Sequence, residues 1–188
     1  LFSFLITAIK DVMSSGIEVP RATRLILIGI LFLNPKSAEV QTANAFVAML
    51  QGSSPDIVEP YFLRAIKLNP NYATSQHWYS DFLRMVMNNY DKALTYAESA
   101  YNLDPLSEII SINLASAYRS VHELDKAEKT LNKILEINPS FLKAFTSLSY
   151  IYKARGEWQR AEDITKKCIE LKPKDGNSWL DYAEVLTC

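Results

Sequence analysis

The chain has 188 residues, 48% of them hydrophobic, enough to build a core without deciding between one domain and two. Twenty Lys plus Arg against 21 Asp plus Glu leave a net charge of −1; without the basic excess that phosphate neutralisation needs, no direct nucleic-acid contact is expected of this segment. The longest apolar runs, residues 4–9 and Leu25 to Leu33, are far shorter than the ~20 residues that cross a bilayer, so no membrane insertion is expected.

The chain opens at Leu1 with no basic stretch ahead of an apolar one, which predicts no signal peptide, and it reads as a piece of something longer. A first helical unit is expected at about 4–37, with Pro20 opening its second helix, where a missing N–H costs little. The run Leu25 to Leu33 is apolar all round and calls for a covering neighbour. In a second unit, 39–72, Gly52-Ser53-Ser54-Pro55 makes the turn, and Pro60 is expected to delay or kink the second helix. A third unit, 74–107, runs one residue long before Trp78, which leaves the facing of Trp78 open by about 100°. In the fourth, 108–141, Ile112, Ala115, Tyr118 and Arg119 mark one helix, His122 to Asp125 break it, and Ala127, Leu131, Ile134 and Leu135 mark the next. The fifth spans 142–175, with its turn at Gly156-Glu157-Trp158, and a last helix is expected from 177 to 188.

The units keep a common period. Pro35, Pro70, Pro105, Pro139 and Pro173 close them at spacings of 35, 35, 34 and 34, each proline stopping a helix for want of an N–H. Ala93, Ala127 and Ala161 recur 34 apart, as do Tyr118 and Tyr152. Small residues, Ala115, Ser149 and Ala183 on first helices and the three alanines on second ones, would let backbones approach closely, with Tyr90, Tyr118, Tyr152 and Trp158 filling the space around them.

This pattern of an aromatic, Leu followed by a small residue, Tyr, a later Ala and a closing Pro resembles the tetratricopeptide-repeat (TPR) family over nearly the whole chain. The resemblance implies an all-α right-handed superhelical solenoid of antiparallel helix pairs, a single array over 1–188. It also implies a protein-interaction scaffold whose concave groove, lined by first helices, holds a protein or peptide segment. By family position the groove would draw on Trp78, Phe82, Ile109, Ile112, Asn113, Lys143, Thr146 and Tyr150. Trp78 and Phe82 stand equally well in a hairpin core. Of the two-carboxylate clamp of co-chaperone members, Asn113 and Lys143 match two positions, but Trp78 and Ser147 occupy two others. The runs 68–79 and 102–110 also resemble the C-terminal arrays of bacterial winged-helix regulators of the CadC and ToxR type, which would make the chain a regulatory or sensory domain.

No enzyme chemistry is expected. His77 and His122 stand 45 residues apart, and neither a phosphate loop nor a nucleophile setting occurs, so no catalytic, cofactor-binding or metal residue is assigned. Cys168 and Cys188 are expected as free thiols, their helical positions lying about 10 Å apart along the axis, beyond disulfide reach. Exposed terminal helices could also pair two copies of the chain as a homodimer.

Overall fold

The computed structural model describes residues 37–187; the expected unit at 4–37, Pro20, the Leu25 to Leu33 run and Cys188 lie outside the described residues. Every regular element among them is an α-helix: α1 (Ala38–Leu50), α2 (Pro55–Leu68), α3 (Ala73–Met85), α4 (Tyr90–Leu103), α5 (Glu108–Ser120), α6 (Leu124–Ile137), α7 (Leu142–Arg155), α8 (Trp158–Leu171) and α9 (Gly176–Leu186). They form an all-α array of helix pairs, and the chain divides into two compact units between Tyr79 and Ser80, inside α3.

In the first unit, Ser37 caps α1 by accepting from the Val40 N–H at 3.2 Å, which satisfies one of the unpaired amides of the first turn. The chain reverses at Gly52 and α2 begins on Pro55. Pro60 does not delay that helix as the sequence suggests. Pro55 at its first position supplies the fixed φ that starts it, and Pro60 continues inside with its ring exposed. Val58, Phe62 and Ala65 form the buried stripe of α2, and Phe62 lies 5.7 Å from the Tyr79 ring.

In the second unit, α5 packs on α6, α7 on α8, and each second helix on the following first one. One core runs through Ala115, Ala127, Leu131, Ile134, Ala144, Leu148, Ile151, Tyr152 and Ala161. Ala93, Ala127, Ser149 and Ala161 are wholly buried, and Ala115 nearly so. Three residues depart from the expected small-against-large pattern. Ala183 is exposed, because among the described residues no second helix follows α9; Tyr90 and Trp158 begin second helices at the turn end and stay about 40% open, at 41% and 39%. Second helices end on Asn69, Asp104, Asn138 and Lys172, each extended at φ between −130° and −144° and each just before a proline.

The turns within pairs share one conformation. Gly52, Asn88, His122 and Gly156 all have positive φ, 69°, 51°, 61° and 72°. A side chain in this left-handed region costs about 1–2 kcal/mol, while glycine enters it freely but loses more entropy on folding. His122→Gly should therefore stabilise the chain by up to about 1 kcal/mol, and Gly156→Ala should destabilise it by about as much. Urea midpoints measured for both variants should move in opposite directions.

Candidate functional site

First helices of the second unit each carry a stripe at i, i+3, i+4 and i+7: Ile109, Ile112, Asn113 and Ser116 on α5, then Lys143, Thr146, Ser147 and Tyr150 on α7. Polar contacts tie these helices into one face. The Asp81 carboxylate accepts from Arg84 at 2.7 Å and from the Asn113 amide of α5 at 2.8 Å. The Arg119 guanidinium lies 5.4 Å from the Tyr150 ring centre, and the Lys153 ammonium 4.7 Å from the same ring. Lys153 in turn donates to Asp181 at 3.3 Å and Glu184 at 2.9 Å on α9.

The expected groove residues do not share one environment. Trp78 belongs to the first unit, where it is half-buried and edge-on to Phe46 at 4.3 Å. Phe82 is 1% exposed and presents no surface. Asn113 is buried with its amide committed to Asp81, and Ile112 packs half-buried on the core. Ile109, Lys143 and Tyr150 remain accessible, Tyr150 at 46%. Arg84, Arg119 and Lys153 were not among the expected residues, although they recur at 35 and 34 residues, the period of the repeat itself. Long cationic side chains read as solvated surface in a sequence; here their stems lie along the face.

Arg119 and Lys153 differ electrostatically. Burial works against the charge of Lys153, but Glu184 and Asp181 outweigh it and its pKa is raised. Burial and then the neighbouring Arg84 push Arg119 down, and Tyr150 opposes them. Behind the face, Cys168 is 2% exposed, and burial pushes its thiol up, the reverse of what a reactive cysteine needs.

Among the described residues no group of three or more His, Cys, Asp or Glu could hold a metal ion, and no helix is long and apolar enough to cross a membrane. Two hollows, of about 500 and 280 Å³, lie away from Tyr150: one at the turn Met87 to Asp91, the other beside Tyr101, Leu106 and Ile137. On α9, Trp179, Leu180 and Leu186 are also exposed.

Family models for the tetratricopeptide repeat match residues 87–148 and 144–178. Residues 87–178 are tetratricopeptide repeats. Among curated proteins, anaphase-promoting complex subunit CDC16 of Saccharomyces cerevisiae is 29% identical over 71% of this chain and 16% of its own length. The small glutamine-rich tetratricopeptide repeat-containing protein 2 of the same yeast is 26% identical over 47% of the chain and 25% of its own length. The chain thus spans a quarter or less of these relatives. Solved structures share the fold: PilW, a type IV pilus biogenesis factor, has a TM-score of 0.76 at 19% identity, covering 99% of this chain and 86% of that one. The first TPR of Spaghetti, solved with an HSP90 peptide, covers 61% of this chain and 90% of its own at 20% identity and a TM-score of 0.55. Arrays of this repeat are general protein-interaction scaffolds.

Proposed function

We propose that the second unit binds an extended or helical protein segment on the face lined by α5, α7 and α9. The observation that carries this reading is Tyr150, an aromatic ring left open at 46% on a face otherwise fixed by buried contacts. A rigid aromatic with two soft torsions loses little freedom on binding and supplies a large contact area, the usual properties of an interface anchor. Ile109 adds an accessible apolar side chain and Lys143 a charge on the same stripes. A resemblance to winged-helix regulators would place the same face in a sensory arm. The runs that suggest it, 68–79 and 102–110, cover helix ends, closing prolines and helix starts that any array of this kind requires, so they do not favour that arm over a general scaffold.

The test is a random dodecapeptide library displayed on phage and selected on the wild-type chain. Peptides that emerge should bind Tyr150→Glu at least about tenfold more weakly, because an exposed anchor is replaced by a charge with no change in the core. Peptides that bind variant and wild type equally, or a selection that enriches nothing, would remove this face as the binding surface.

A further inference from the structure

From the charge pattern of this face we infer that the bound segment carries an aspartate or glutamate side chain that pairs with Arg119. The inference rests on the segment-binding reading above and names the chemistry of the segment. Arg84, Arg119 and Lys153 stand at the same position of α3, α5 and α7, and all three are partly buried. Two of them carry their own acids: Arg84 has Asp81 at 2.7 Å, and Lys153 has Asp181 at 3.3 Å and Glu184 at 2.9 Å. Arg119 has none among the described residues. The cause lies in the repeat. Glu184 on α9 lies 34 residues after Tyr150 on α7, so the next first helix offers Lys153 a carboxylate where it offers Arg119 an aromatic ring.

A guanidinium over one ring face at 5.4 Å keeps its N–H edges available, and five donors in a plane match a carboxylate in two parallel hydrogen bonds. Tyr150 itself faces two cations, Arg119 and Lys153, and among the described residues only Lys153 is neutralised. The deficit is a single positive charge, which suits a monoanionic carboxylate better than a phosphate of nearly two charges. This position is distinct from the clamp positions held here by Trp78, Asn113, Lys143 and Ser147. Partial burial at Arg119 would strengthen the pair relative to one at an open surface.

The same displayed library provides the test. Peptides selected on the wild-type chain should share an Asp or Glu at one fixed place. Replacing that residue by Asn or Gln, or making Arg119→Gln in the protein, should each weaken binding by about 10- to 100-fold, and the two together no further. Arg119→Lys should recover part of the loss. The thermal midpoint of Arg119→Gln should change little, since among the described residues the guanidinium pairs with no acid, and its contact with the Tyr150 ring is opposed by repulsion from Arg84. Selected peptides that fail on Tyr150→Glu yet lack a shared acid would overturn the inference and leave the binding face standing. A lowered midpoint with undiminished peptide affinity would make Arg119 a structural residue and overturn it equally. Indifference to Tyr150→Glu would remove both.

Discussion

Leu131→Ala is expected to destabilise the second unit by about 3 kcal/mol. The side chain is wholly buried on α6 in one core with Ala115 of α5 and with Ala144 and Leu148 of α7, a core that joins the first helix of its own pair to that of the next. Ala115, Ala127, Ala144 and Ala161 belong to that core, and their short side chains have no torsions with which to refill the space. The cavity should therefore stay open, which puts the cost in the middle of the usual range of about 2–5 kcal/mol rather than at its floor. Because stability in a repeat array is carried by neighbour contacts, amides of α5 and α7 should lose hydrogen-exchange protection together with those of α6. A loss below about 1 kcal/mol, or one confined to α6, would mean that α6 is not the shared wall of both pairs.

Glu128→Gln should cost about 2 kcal/mol at neutral pH. Glu128 is the hub of α6, α7 and α8: its carboxylate accepts from Arg155, from the Tyr152 hydroxyl at 2.9 Å and from Arg160 at 2.7 Å. Arg155 also reaches Asp125 at 2.5 Å, and Arg160 reaches Glu157 at 2.5 Å, so the two guanidiniums keep partners in the variant. Asp125 is almost fully solvated, though, and replaces little of the lost pairing. Burial alone would raise the Glu128 pKa, but the hydrogen bonds from Arg155, Tyr152 and Arg160 outweigh it and hold the carboxyl below its ordinary 4.5. The same carboxylate, after burial, pushes the Tyr152 hydroxyl up to about 12. A depressed folded pKa means that the stabilisation is complete above 4.5 and is lost as pH falls through the lower folded value. The difference in thermal midpoint between wild type and Glu128→Gln should thus be constant near neutrality and shrink below pH 4.5. A difference that persists unchanged into acid would show that the glutamine disturbs packing rather than charge.

Much of this fold is legible in the residues because the repeat states each instruction several times. The closing prolines predict where second helices stop, and α2, α4, α6 and α8 end two residues before Pro70, Pro105, Pro139 and Pro173. The buried alanines 93, 127 and 161 follow from the same period. Turn conformation was half legible: glycine announces positive φ at 52 and 156, but Asn88 and His122 adopt it with nothing but repeat phase to signal it. Pro60 misled because a proline inside a helical pattern reads as a boundary unless the earlier Pro55 is recognised as the true start.

The candidate site was less legible. Trp78 and Phe82 could not be assigned to face or core from spacing, since the extra residue before Trp78 turns the helix by about 100° and exchanges the two. Phe82 lies in the core, while Trp78 is half-buried and edge-on to Phe46. Arg119 is legible in the sequence only as a helix position, for another reason. Its significance is that no acid lies beside it among the described residues, and that depends on which residue of the following repeat comes opposite, Tyr150 rather than a glutamate.

The most direct test of the binding face is a map of backbone amide shifts on adding one of the selected peptides to the uniformly labelled chain. The largest changes are predicted along α5 and α7, around Ile109, Arg119 and Tyr150. Changes concentrated instead at the Met87 to Asp91 turn, or on Trp179 and Leu180 of α9, would show that the segment docks elsewhere and contradict the assignment of this face.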